Sequence, residues 1–307
     1  MVDEKSMRQH VSQPIIDIKD LTYKYPRTSA PALKNINLEI HEGEFIGIVG
    51  PTGAGKSTLC LALAGLIPQM LGGKTQGEIL LNGQNTTTTP LEELLFRPDE
   101  KVALVGLTLQ DPEAQLVGMT VEEDLAFGPE NLGLPTLEIQ NRVTDILKLI
   151  RMESFRFTFP YKLSGGQKQR IAIGSTLALS PLLLVLDEPT SELDPIGRKE
   201  VFSVINQLKK DANLSIVVVE HHSEELALFC DRILVMNEGE IILDGKTKDV
   251  FIQTDLLRTV GVRPPDGVDM IKALKDDGII NPINSLVDEN DIINFLKESL
   301  NDRKSQK

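Results

Sequence analysis

FIGIVGPTGAGKST, Phe45 to Thr58, turns abruptly from an apolar run into glycines. Phe45, Ile46, Ile48 and Val49 have the apolar character of a buried strand, and Gly50, Pro51, Thr52, Gly53, Ala54 and Gly55 that of a tight turn. Without a Cβ, glycine lets backbone N–H groups curl around an anion, and a helix opening at Lys56 adds its positive end, roughly half an elementary charge. Phosphate is the ligand such a turn suits. Gly50, Gly55, Lys56 and Ser57 fit the pattern G-x-x-x-x-G-K-[ST]. In that pattern the lysine reaches the β/γ-phosphates and the Ser57 hydroxyl ligates Mg²⁺. The whole loop from Gly50 to Thr58 is therefore expected to bind phosphate.

Composition sets the bounds outward from this loop. The chain has 307 residues, 41% hydrophobic and 25% charged, which is ordinary for a globular protein with one large or two modest domains. A net charge of −13 argues against a general nucleic-acid surface, because a phosphate backbone demands clustered positive charge. The apolar runs, such as Leu182 to Leu186, fall far short of the roughly 20 residues of a membrane span. The N-terminus lacks the hydrophobic region of a signal peptide, so a cytosolic chain with an indirect membrane role is expected. Cys60 and Cys230 are the only cysteines, too few for a disulfide framework or zinc spacing.

Upstream of the loop, residues 1–13 read as a flexible leader. IIDIKDLTYKY and ALKNINLEI then alternate as antiparallel strands, and EILLNG adds a third short one. Tyr25 is placed to stack on a base or to be a half-buried strand residue. Downstream, Lys101 to Leu109 is β-like and ends at Gln110, a side chain suited to Mg²⁺ or to the attacking water. Asp111 to Pro135 has little strand character, and Ile139, Val143, Ile146, Leu147 and Ile150 line one face of a helix. That helical region closes on LSGGQ, where the Ser164 hydroxyl and the Gly165 and Gly166 N–H groups would open a helix near Gln167.

Pro181 to Leu186 is continuously apolar, as a central parallel strand should be, and ends in Asp187-Glu188. Carboxylates at the carboxyl end of such a strand face the ligand crevice. Asp187 would hold Mg²⁺ and Glu188 would take a proton from water. Asp194-Pro195 opens another helix. Ser215 to Val219 is a further buried strand, ending in Glu220-His221-His222, of which His221 would reach a γ-phosphate oxygen and His222 would face solvent. Arg232 to Met236 and Glu240 to Leu243 complete the sheet. The Arg-Pro-Pro-Asp-Gly punctuation after Val262 marks a boundary, and Val287 to Leu300 has the pattern of an amphipathic helix.

GPTGAGKST, Gln110, LSGGQ, LLLVLDEP, SELD at Ser191 to Asp194, and His221 occur in an order that resembles the ATP-binding cassette (ABC) family over most of Ile15 to Thr254. The resemblance implies an α/β fold of the P-loop NTPase type. It would have a RecA-like parallel-sheet core, an antiparallel β-subdomain, a helical subdomain at roughly 111–180 within a 14–261 ATPase domain, and a small α-rich C-terminal extension at 262–307 that could serve as a dimerisation unit. It implies ATP and Mg²⁺ as ligands, Tyr25 against the adenine, and Glu188 as general base with His221 and Gln110 beside it. Ser57, Gln110 and Asp187 would be the metal ligands. Ser164, Gly165, Gly166 and Gln167 would serve the nucleotide of a second ATPase subunit, identical or paralogous, with Asp194 coupling the two sites. Glu192 departs from the commoner alanine in SELD, and Glu220 from a frequent threonine before His221.

DPEAQLV and TVEEDLAFGPENLGLP, between Gln110 and Pro135, look more narrowly like the ATPase subunits of energy-coupling factor transporters, which import vitamins and transition-metal ions. That resemblance implies a peripheral place on the cytoplasmic face of the membrane, a transmembrane coupling subunit and a separate membrane substrate-binding subunit, with no nucleic-acid partner. A helix carrying Pro112, Glu113, Gln115 and Leu116 would touch the coupling subunit, with Glu122, Glu123 and Asp124 adding negative charge. A DNA-repair or chromosome-organising ATPase would usually separate the motifs with heptad arms, and a translation ATPase would usually carry two cassettes.

Overall fold

Strand alternation determines which way each side chain of the central sheet faces. A computed structural model of the chain describes residues 13–97, 102–209 and 214–277. Among these, six strands form one sheet, in the order Glu240–Lys246, Arg232–Asn237, Phe45–Val49, Ser215–Val219, Leu183–Asp187 and Val105–Thr108. The first two pair antiparallel and the rest parallel. Phe45–Val49, Leu183–Asp187 and Ser215–Val219 are buried at every position, which is why they read as unbroken apolar runs. Ile46, Ile48, Val185, Val217 and Val219 face one core, and Phe45, Val49, Leu184, Ile216 and Val218 face the other.

The first core is closed by an antiparallel sheet of Leu33–Ile40, Ile16–Lys24, Lys74–Leu81 and Gln84–Asn85, as the alternation of those segments predicts. The second is closed by helices, among them Val121–Asn131, Thr136–Leu149 and Gly165–Leu177. Val143 and Leu147 are the buried residues of Thr136–Leu149, with Ile139 and Ile146 packed partly against the same core. Gly165–Leu177 in turn packs on Pro195–Leu208. A Cβ added at Gly166 would lie 3.1 Å from the Cα of Gly197, so the two helix starts meet glycine to glycine.

Three expectations are corrected. The segment carrying Pro112, Glu113, Gln115 and Leu116 is a single turn, closed by the N–H groups of Gln115 and Leu116 on the Pro112 carbonyl, and not a helix. It stops because the next two N–H groups, of Val117 and Gly118, are taken by the Asp124 carboxylate at 2.7 and 2.9 Å. Asp124 is thus a buried staple, also accepting from the Ser175 hydroxyl at 2.8 Å, and offers no charge to a partner. His222 is half-buried near Arg198, while His221 is the more exposed of the two.

The boundary expected after Val262 does not begin a separate core within the described residues, since Val262 and Val268 join the helical-side core. Ser223 donates to the Arg263 carbonyl at 2.6 Å and Glu224 accepts from the Asp266 N–H at 2.5 Å, tying helix Asp266–Asp276 to the segment after His221. Residues 1–12 of the leader and the amphipathic run Val287 to Leu300 lie outside the described residues.

Candidate functional site

Register brings the site together. Val219 is level with Ile48 on one side and with Asp187 on the other, so three parallel strands deliver Gly50, Asp187-Glu188 and Glu220-His221 to one edge. The loop after Phe45–Val49 turns into helix Lys56–Leu63 through Gly55, at φ +99°. A Cβ at Gly55 would lie 2.7 Å from the Ala32 carbonyl oxygen, so this position needs glycine on both conformational and steric grounds. The loop borders a cavity of about 640 Å³, whose walls include Ser57, Thr58, Gln110, Glu188 and His221.

Lys56 is buried, and its ammonium donates to the carbonyls of Gly50 at 3.0 Å and Pro51 at 3.2 Å. Burial pulls its pKa down, while Glu188 at 3.8 Å and Asp187 push it back up. Glu188 Oε1 lies 3.0 Å from His221 Nε2. The Glu188 backbone sits at φ +49°, a costly conformation for a side chain this size, held by its N–H donating to the Val219 carbonyl at 3.0 Å. Such strain persists only where surroundings over-determine it.

The metal can be tested against the donor atoms. Burial pushes the Asp187 carboxyl up, opposed by a hydrogen bond from Ser57, and Asp187 Oδ1 is buried without a hydrogen-bond partner. A serine hydroxyl, an unpartnered carboxylate oxygen and the nearby Gln110 amide form a set of hard oxygens, which with phosphate oxygens suits Mg²⁺. No group of three or more His, Cys, Asp or Glu could hold a metal unaided among the described residues. Gln110 lines the cavity, and its amide donates to the Ser191 hydroxyl at 3.3 Å, which itself donates to the Glu188 carbonyl at 3.1 Å.

Other expected residues lie apart. Tyr25 is not among the residues lining the cavity. Its ring is edge-on to Tyr23, with centroids 4.9 Å apart, and its hydroxyl is 3.2 Å from Thr58 Oγ1. Ser164 caps helix Gly165–Leu177 in a reciprocal pair with Gln167, each accepting from the other's N–H. Asp194 caps Pro195–Leu208 through the Gly197 N–H at 2.7 Å. Neither Ser164, Gly166, Gln167 nor Asp194 borders the phosphate-loop cavity of its own chain. Pro112 is buried, and Gln115 turns inward to clasp the Leu109 N–H and the Leu107 carbonyl. Glu113 and Leu116 instead line a separate groove of about 300 Å³ with Met119, Phe159 and Tyr161.

Two features escaped the motif reading. Lys34, Glu238 and Gly239 wall the cavity, although Glu238-Gly239 reads in sequence only as a hairpin turn. Glu220 is 1% exposed, and its Oε1 accepts from the Thr190 N–H at 3.0 Å and the Thr190 hydroxyl at 2.7 Å. Burial pushes its carboxyl up to about 7. The signal was a carboxylate directly after the apolar run Ile216 to Val219.

Residues 33–191 match the family model described as ABC transporter. Protein PH1815 of Pyrococcus horikoshii, described as an ABC transporter ATP-binding protein, is 42% identical over 92% of this chain and 96% of its own length. The energy-coupling factor transporter ATP-binding protein EcfA of Pediococcus pentosaceus is 38% identical over 93% of this chain and 98% of its own. Among solved structures, cbiO1 from Clostridium perfringens, part of the ABC transporter complex cbiONQ, superposes with a TM-score of 0.69 at 33% identity, over 85% of this chain and 100% of that one. The ATP-binding cassette MJ0796, solved as a dimer bound to ADP and Pi, gives 0.65 at 29% identity over 76% of this chain and 98% of that one.

Proposed function

This chain belongs to the ABC transporter ATP-binding proteins, ATPases whose hydrolysis of ATP is coupled to transport, and on that footing we propose that it energises an energy-coupling factor type importer of a vitamin or a transition-metal ion. The observation that carries the catalytic part is the contact of Glu188 Oε1 with His221 Nε2 at 3.0 Å, with Lys56 Nζ 3.8 Å away at the mouth of the glycine loop.

In this reading the loop N–H groups from Gly50 to Thr58 and Lys56 bind the β/γ-phosphates. Ser57 and Asp187, with Gln110, hold Mg²⁺, which when bound draws charge from the phosphate oxygens. Glu188 accepts the proton of the attacking water, and His221 orients that carboxylate and reaches the γ-phosphate. Tyr25 supports the nucleotide beside Thr58. Ser164, Gly165, Gly166 and Gln167 complete the site of a second cassette, identical or paralogous, and Asp194 links the two. The other partners are a transmembrane coupling subunit and a membrane substrate-binding subunit, so the chain works on the cytoplasmic face.

The groove of Leu116, Met119, Phe159 and Tyr161 is the coupling surface in this account. Met119 is 67% exposed and Tyr161 72%, large apolar surfaces whose burial would favour a partly apolar helix from the membrane subunit. Glu113, expected to offer free charge, is paired with Lys168, and Glu122 with Arg156. The contact therefore rests on apolar area more than on acid. Met119→Asp together with Tyr161→Ala should release or uncouple the membrane subunit while ATP hydrolysis by the isolated chain stays within about threefold. Retained co-purification and transport in the reconstituted complex would remove the groove from the account.

A further inference from the structure

Glu220 is a carboxylate buried at the end of a strand that otherwise holds only apolar residues, apart from the Ser215 that starts it. Such a group is retained at a cost unless its hydrogen bonds do something a neutral residue would not. Its partners are specific. Both donors of Thr190, which is itself fully buried, converge on Oε1, and the N–H of the neighbouring His221 also faces the carboxylate. Thr190 lies two residues after Glu188, and Ser191 next to it holds both the Glu188 carbonyl and the Gln110 amide. On the other side Glu220 is followed directly by His221, and its N–H donates to the Ile48 carbonyl at 3.2 Å, fixing it to the strand that leads into the phosphate loop.

We propose that Glu220 is a positioning residue for hydrolysis, which by clasping Thr190 holds the strained turn at Glu188 so that the Glu188 carboxylate meets His221 and the attacking water. The clasp adds a side-chain tie to the backbone hydrogen bond from the Glu188 N–H to the Val219 carbonyl, so the ends of two neighbouring strands are joined twice. Without that anchor Glu188, at φ +49°, loses one of the ties that hold it, and a carboxylate that swings loses its approach to the water while the phosphate contacts of the loop persist. The inference rests on Glu188 being the base.

The test is a set of variants of the full chain, read by steady-state ATP hydrolysis. Glu220→Leu keeps approximate volume and removes the acceptor. It should lower kcat about 10- to 100-fold with KM for ATP within about threefold. Glu220→Gln keeps an oxygen for Thr190 and should restore kcat to within about threefold of the parent. Thr190→Val, which removes the hydroxyl donor alone, should lose about 3- to 10-fold with the same split, and it decides the matter if Glu220→Leu does not fold.

Glu188→Gln is measured first. If it turns over at the parental rate the base assignment fails, whatever Glu220 does. If it is slow, Glu220→Leu added to it should cost nothing further, because a residue acting through Glu188 has no target left. An equal fold loss in both backgrounds, a Glu220→Gln as slow as Glu220→Leu, or unchanged kcat in Glu220→Leu or Thr190→Val would overturn the proposal.

Discussion

At the level of single residues, the site is a contest between burial and pairing. Lys56, Asp187 and Glu220 are all at most 6% exposed, and burial disfavours the charged form of each. Lys56 is compensated by Glu188 and Asp187, and Asp187 by Ser57. Glu220 has the Thr190 donors and the His221 N–H, which pull its pKa down, against burial and the Glu225 charge, which push it up to about 7. Its folded value therefore lies above an ordinary 4.5, and the folded chain binds the extra proton between the two. The stabilisation is full below the unfolded value and is lost as pH rises through the folded one, a change of about 3 kcal/mol. Glu220→Gln does not titrate. Measured by thermal unfolding, its stability relative to the parent should improve from about pH 5 to about pH 7 and then level off. A constant difference across that range would mean that Glu220 ionises normally.

Elements show where sequence reading succeeds and where it stops. The parallel strands were legible because burial on both faces forces unbroken apolar runs, and Gly50 to Lys56 and Asp187-Glu188 fall where those runs end. Glu122, Glu123 and Asp124 read in sequence as added negative charge near the coupling segment, and Asp124 departs from this because side-chain type does not reveal which backbone donors lie within reach. Glu122 pairs with Arg156, Glu123 accepts from the Met119 N–H, and Asp124 staples Val117 and Gly118 to the start of helix Val121–Asn131. Removing a buried acceptor strands its donors at about 1–3 kcal/mol each, so Asp124→Ala should destabilise the chain by about 3 kcal/mol. Asp124→Asn, which keeps an oxygen for both N–H groups, should cost about 1 kcal/mol. Chemical denaturation of the two variants checks this, and equal losses would show that charge rather than acceptor geometry matters at this turn.

Over the whole molecule, the groups proposed for catalysis fall into two sets, and of the second only Gly165 shares a cavity, separate from that of the glycine loop, with Gln110 and Glu188. The phosphate loop, Asp187, Glu188 and His221 converge because their strands run parallel in register, whereas Ser164, Gly166 and Asp194 open helices away from that cavity. The order of motifs in sequence could identify both sets, but their separation is a property of the folded helices and is visible only in three dimensions. A second cassette supplies the missing half in this account, as the dimeric MJ0796 cassette illustrates for a relative. The decisive measurement is ATP hydrolysis by an equal mixture, allowed to exchange subunits, of Lys56→Ala chains and Ser164→Arg chains. Each variant alone should be inactive, because every paired site contains a defect. In a mixed pair one site unites the intact phosphate loop of one chain with the intact Ser164 of the other, so the mixture should regain a clear fraction of parental turnover. Turnover no higher than that of the separate variants, with mixed pairs shown to form, would contradict the shared site.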